Sequence, residues 1–234
     1  MKHRIKVNGI LLLLSILAVV FFPRILIRHG SFAFDDFWEG LGVSLILIGQ
    51  LLRVSARGYK AEQSNCGNHL VVTGPYSMVR NPMYLGIIFI GCGVVLAVLH
   101  PWTLFIFLGG FLFLYQSLFL KEEKALTGAF GKEFTEYCKR VPRIFPKPSL
   151  FFHNDISSVV PVRLAWFQRE MLSILVILAA VFVIESWEEI KSRGLSFVAP
   201  ALAPLAVIVL LYFILVFFLA RRYENATDKN RNNI

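Results

Sequence analysis

The sequence predicts an all-α fold, a multi-pass transmembrane helical bundle of about six spans with the N- and C-termini cytoplasmic. Three observations predict it. Of 234 residues, 56% are hydrophobic and only 17% are charged, more apolar surface than a soluble domain of this length can hide. The apolar residues also fall in long runs, the pattern of membrane spans. Finally, with the N-terminus inside, only Arg24, Arg28, Lys191 and Arg193 of the 24 Lys and Arg lie on the outer side, a strong positive-inside bias.

Taken in order, the spans are read at residues 7–27, 37–54, 84–99, 102–120, 171–184 and 197–219. The first is a retained helix, because Phe21-Phe22-Pro23-Arg24 offers no small-residue cleavage pattern. Spans three and four form a hairpin around His100-Pro101, with the proline at a permitted first-turn position of span four. The fifth is short for a bilayer and either begins near Leu164 or sits tilted among its neighbours. Glu185, Glu188, Glu189, Lys191 and Arg193 read as a solvated outer loop, and residues 221–234 as a disordered basic tail. Three segments result: 1–56 with the first two helices, 57–148 with the motifs, the hairpin and a cytoplasmic segment, and 149–234 with a linker and a C-terminal helix pair.

The charge distribution also excludes function classes. A net charge of +9 is accounted for by topology and by anionic lipid, so no nucleic-acid partner is expected. Cys66, Cys92 and Cys138 have neither disulfide nor metal-ligand spacing, and no metal is expected. No internal repeat suggests inverted transporter halves, and charges are nearly absent from the span centres, where a transport path usually leaves them.

The chemistry-bearing residues gather in residues 74–86, Gly-Pro-Tyr-Ser-Met-Val-Arg-Asn-Pro-Met-Tyr-Leu-Gly, directly before span three. Asn81 and Pro82 read as N-cap and first residue of that helix, leaving backbone N–H groups suited to a carboxylate or phosphate. Arg80 precedes the His100-Pro101 turn by about twenty residues and Lys121 follows it by about twenty, so each leg is about 30 Å long. The segment from Arg80 to Tyr84 should therefore meet Glu122 and Glu123 at one face. Carboxylates at the end of a helix oppose its dipole, so this pair needs a partner; the bland alternative is a solvated helix end. Beyond them Phe130, Phe134 and Tyr137 recur at helical spacing, as in a surface helix over the site or one packed there for stability alone.

In order, His69-Leu70-Val71-Val72-Thr73-Gly74-Pro75-Tyr76, then Arg80-Asn81-Pro82-Met83-Tyr84, then Glu122-Glu123, then Phe130-Gly131-Lys132-Glu133-Phe134 and Tyr137-Cys138-Lys139-Arg140-Val141-Pro142 resemble the isoprenylcysteine carboxyl methyltransferase family, relatives of the membrane phospholipid N-methyltransferases. The resemblance covers residues 60–147. It implies methyl transfer from S-adenosylmethionine to a lipophilic acceptor, in a small helical membrane fold; the distribution of Lys and Arg puts the site on the cytoplasmic face. By motif position it implies cofactor binding by Asn68, His69, Leu70, Val71, Tyr76, Arg80, Asn81, Pro82, Tyr84, Glu122 and Glu123. Candidate catalytic residues are Glu122, Glu123, Tyr84 and Arg140, Arg140 reading equally as a lipid-headgroup contact. Two departures matter. Asn81 replaces the family's usual His, and Leu118 stands where the eukaryotic prenylcysteine enzymes carry a substrate-contacting Arg. The acceptor is thus open among a prenylcysteine carboxylate, a phospholipid amine and a small lipophilic thiol; outside catalysis, the alternative is a small membrane transporter or scaffold.

Overall fold

A computed structural model describes residue 26 and residues 35–146, 159–193 and 198–231. Six α-helices and a 3-10 turn at Asn65–Gly67 are found among the described residues: α1 (Asp35–Gln63), α2 (Pro75–Met78), α3 (Pro82–Val98), α4 (Thr103–Arg140), α5 (Leu164–Arg193) and α6 (Val198–Arg231). Of these, α1, α4, α5 and α6 are each long and apolar enough to cross a membrane, and α3 is a shorter apolar helix. The chain is thus an integral membrane protein whose regular elements among the described residues are helical, with the expected span at 7–27 lying almost wholly outside the described residues.

The most extensive helix pair is not the sequential hairpin but α1 against α3. The reason lies in two glycine pairs, each spaced by seven residues. A Cβ on Gly42 would come within 2.6 Å of the Gly93 carbonyl oxygen, and one on Gly49 within 2.6 Å of the Gly86 carbonyl oxygen. The reciprocal positions are as tight, at 2.5 Å for Gly93 and 2.7 Å for Gly86. In lipid there is little hydrophobic gain from bringing helices together, so association relies on close backbone packing between small residues. Beside this seam Val43, Ile46, Leu47, Leu85 and Ile88 are buried in the main core.

Helix α4 packs on α3 through Phe111, Tyr115 and Phe119, with the Phe111 and Tyr115 rings stacked at 4.0 Å. Its start differs slightly from the expected position: Pro101 lies in the turn before the helix, and the Thr103 hydroxyl donates to the His100 carbonyl oxygen at 2.7 Å. Helix α5 begins at Leu164, the longer of the two expected readings. It is held to the end of α1 by ion pairs from Arg53 and Arg57 to Glu170 and from Arg163 to Glu62.

Three expectations are corrected. The segment around residues 185–193 is the end of helix α5, not a loop. The basic tail is helical as far as Arg231, continuing α6. And α4 does not stop near Leu120: it runs on to Arg140 with a kink at Gly131, whose φ of 52° and ψ of −118° are not helical. No proline lies between Leu120 and Phe130, and the Lys, Glu, Ala and Leu there favour helix strongly enough to carry the single Gly128, so the apolar span passes directly into a polar one.

Candidate functional site

At one end of the α1–α3–α4 assembly these elements enclose a cavity of about 150 Å³. Its first wall is the segment after α1. Gly74 adopts φ 59°, ψ −133°, a region that side chains make costly, and a Cβ there would meet the Tyr59 ring at 2.9 Å. The Tyr59 hydroxyl in turn bonds Thr73 Oγ1 at 2.8 Å. Gly74 and Pro75 thus turn the chain into α2, and Leu70, Val71 and Tyr76 reach the cavity.

The second wall is the start of α3. Asn81 is the N-cap by position and Pro82 occupies the first turn, as expected, but the Asn81 side chain makes no capping bond. Its Nδ2 donates instead toward the Arg143 carbonyl oxygen at 3.4 Å. The backbone also bonds this neighbour: Arg80 N–H donates to the Pro142 oxygen at 2.8 Å and Asn81 N–H to the Arg143 oxygen at 3.2 Å. Tyr84 and Leu85 N–H groups turn back to the Asn81 oxygen, at 3.1 Å each.

The third wall is α4, and here the hairpin spacing holds. Arg80 Nη1 donates to Glu123 Oε1 at 2.8 Å and the Tyr84 hydroxyl to Glu122 Oε2 at 2.9 Å. The Tyr84 ring is fixed by edge contacts with Tyr115 and Phe119, at 5.5 and 4.9 Å between centroids. Because α4 continues, the acidic pair sits in mid-helix, and the dipole argument from a helix end falls away. What holds Glu123 is two guanidinium groups. Arg143 binds it in a fork, Nε to Oε1 at 2.9 Å and Nη2 to Oε2 at 2.7 Å, so that Oε1 is shared with Arg80. That charge-assisted fork holds the Arg143 pKa above its ordinary value.

Past the Gly131 kink, Phe134 and Tyr137 pack on Leu70 in a small second core that Leu126, Phe130, Cys138 and Val141 flank. The Tyr137 hydroxyl donates to the Tyr76 carbonyl oxygen at 2.7 Å, tying α4 to α2. Burial pushes the Tyr137 pKa up, the nearby Arg80 charge opposing only in part.

All the residues expected at the cofactor site line this cavity except Asn68, which is exposed on the turn just outside it. Of the catalytic candidates, Glu122, Glu123 and Tyr84 line it, while Arg140 is exposed and does not. Sequence reasoning missed Arg143, which counted only toward topology. The signal was its place directly after Val141-Pro142, where the chain ends α4 and returns along α3. It also missed Lys60, Ser64 and Gly67, since α1 was expected to end near Val54, and it assigned no role to Met83 and Leu126 on the wall. Among the described residues no group of three or more His, Cys, Asp or Glu is placed to hold a metal ion.

A helical membrane bundle with a polar cavity at the end of its apolar core is the class defined by this geometry. The chain belongs to the phospholipid methyltransferase family, whose sequence profile matches residues 38–133, so the matched region takes in nearly all of α1 with its glycines and the motifs as far as Glu133. It is 30% identical over 209 residues to the cobalt-zinc-cadmium resistance protein CzcN of Cupriavidus metallidurans, covering 82% of this chain and 85% of that protein. It is 28% identical over 199 residues to the nickel-cobalt-cadmium resistance protein NccN of Alcaligenes xylosoxydans xylosoxydans, covering 80% and 84%. A more distant relative is the protein-S-isoprenylcysteine O-methyltransferase of Saccharomyces cerevisiae, 31% identical over 109 residues that make up 43% of this chain and 46% of the yeast protein. No solved structure matches the chain significantly.

Proposed function

We propose that the protein is an integral-membrane methyltransferase that uses S-adenosylmethionine and acts on a lipophilic acceptor. The observation that carries the reading is the cavity itself, where the motif residues of three separate elements converge. When bound, the cofactor supplies an electrophilic methyl group on a sulfonium, a good leaving group.

The residues present fit such a molecule. Arg80 Nε is buried and has no partner among the described residues, so one guanidinium edge is left for a carboxylate while the other holds Glu123. Glu122 accepts from Tyr84 through one oxygen, and its remaining lone pairs suit an ammonium or a ribose hydroxyl. Leu70, Val71, Leu126, Phe130 and Phe134 give an apolar wall for the adenine. The faces of Tyr76 and Tyr84 suit a sulfonium. The main task of the chain is to position two reactants and exclude water. For a carboxylate or thiolate acceptor no base is needed; for an amine or thiol, Glu122 takes the proton.

The cofactor would enter from the cytosol beneath the far end of α4, and the acceptor laterally between helices. Leu118, buried on α4, offers no cation for a prenylcysteine carboxylate, which favours a phospholipid amine or a small lipophilic thiol. The resistance role in the relatives' names comes to this chain within the same proposal, with a methylated lipid as its agent. The test is labelled S-adenosylmethionine on membranes holding the protein, followed by identification of the labelled product. Calorimetry should show binding that Glu122→Ala and Tyr84→Ala abolish; absence of binding by the wild-type chain would overturn the reading.

A further inference from the structure

A second polar recess lies on another side of α1, outside the cavity. It is lined by Val54, Arg57, Gly58 and Ala61 from α1 and by Trp166, Arg169 and Glu170 from α5. Gly58 makes the recess possible, because a Cβ at that position would strike the Trp166 ring. Trp166 is buried and fixed, its Nε1–H donating to Glu62 Oε1 at 2.7 Å. The Arg163 guanidinium lies over the same ring, 5.6 Å from its centroid.

The charge in this recess is unbalanced. Its carboxylate, Glu170, is paired with Arg57 and, at 3.5 Å, with Arg53. Arg57 spends only Nη1 on that contact and its side chain is 63% exposed. Arg169 is exposed and has no ion-pair or hydrogen-bond partner among the described residues. Two lining arginines, Arg57 and Arg169, therefore face one glutamate that is already paired with Arg53. The floor beneath them is apolar, made of Val54, Gly58, Ala61 and the Trp166 ring.

Its depth narrows the occupant. The recess lies where the apolar spans of α1 (Phe37–Gln63) and α5 (Leu164–Ile184) end. A buried Trp, cations on both helices and an apolar floor at this level match the interface where lipid headgroups meet acyl chains. We propose that the α1–α5 recess binds the phosphate of an anionic phospholipid, with Arg57 and Arg169 as its donors and the glycerol and upper acyl chain on the Trp166 face. A soluble phosphate offers the same donors a ligand but leaves the apolar floor uncovered. The site is separate from the cofactor cavity, which the other side of α1 lines through Lys60 and Ser64.

The test uses the full-length protein in lipid bilayers and measures selectivity for spin-labelled phosphatidylglycerol over spin-labelled phosphatidylcholine. Removing one cation near a membrane surface should lower that selectivity about fivefold. Arg169→Ala is the informative variant, since it leaves the Glu170 pairs intact and should not change thermal unfolding. Arg169→Lys should keep most of the selectivity, and Lys132→Ala, at an exposed position on α4, should keep all of it. Equal selectivity in wild type and Arg169→Ala overturns the site. So does an equal loss in Lys132→Ala, which would mean general surface charge. Displacement of the labelled lipid by millimolar inorganic phosphate or glycerol 3-phosphate overturns the lipid as occupant.

Discussion

The α1–α3 seam and the cavity at its end are built on opposite principles. In the seam, backbone meets backbone across Gly42–Gly93 and Gly49–Gly86, and a single added methyl has nowhere to go. At the cavity, long side chains reach across gaps, and Glu123, Arg80 and Arg143 meet through terminal atoms on flexible stems. The rigid region contains no chemistry and the chemical region has adjustable geometry. This division suits a site that must admit a ligand: the seam fixes where α1 and α3 end, and the side chains complete the site from those fixed points.

The contrast can be broken most severely at the seam. Gly86→Ala places a methyl 2.7 Å from the Gly49 carbonyl oxygen and should cost about 3 kcal/mol through overpacking, read as a large fall in the thermal unfolding midpoint in detergent. Gly109→Ala on α4, where a Cβ meets nothing within 4 Å, should leave the midpoint unchanged or raise it slightly. If both glycines behave alike, the seam is not a close-packed contact.

Next in size is Glu123→Ala, which strips the acceptor from two partly buried guanidinium groups. A loss of about 2 kcal/mol in stability is expected, together with lost cofactor binding under the proposed function. Glu123→Gln should recover part of the stability, because an amide oxygen still accepts from Arg143. Tyr84→Phe is milder. The ring contacts with Tyr115 and Phe119 persist, so the midpoint should hold while S-adenosylmethionine affinity falls about tenfold. Unchanged affinity would restrict Tyr84 to packing.

The smallest effect is expected at Tyr137→Phe, about 1 kcal/mol from the bond to the Tyr76 oxygen. This variant also has a pH signature. Burial raises the Tyr137 pKa in the folded state, so above pH of about 10 the unfolded chain loses a proton that the folded chain keeps. Its contribution is full below that pH and is lost as pH rises further, so wild type should weaken on the alkaline side more steeply than Tyr137→Phe in a series of unfolding curves.

Much of the cavity was legible because its residues are close in sequence or symmetric about one turn. Counting from His100-Pro101 sufficed to bring Arg80 and Tyr84 to Glu123 and Glu122. Arg143 was not legible in this way, since its position depends on two backbone bonds between residues 80–81 and 142–143 that no periodicity announces. The helix ends at Gln63, Arg140 and Arg231 were missed for a common reason: hydropathy marks where a helix leaves the apolar layer, not where its hydrogen bonding stops.

By itself the sequence determined an all-helical membrane chain, its family and the side chains of three cavity walls, because apolar run length and motif order are local properties. Tertiary structure alone decided that α1, not α4, is the tight partner of α3, since glycines permit close approach but do not name the opposing backbone. It also decided that Glu123 is shared between two arginines. Both outcomes depend on which surfaces meet, and that is settled by packing complementarity and distance rather than by residue type.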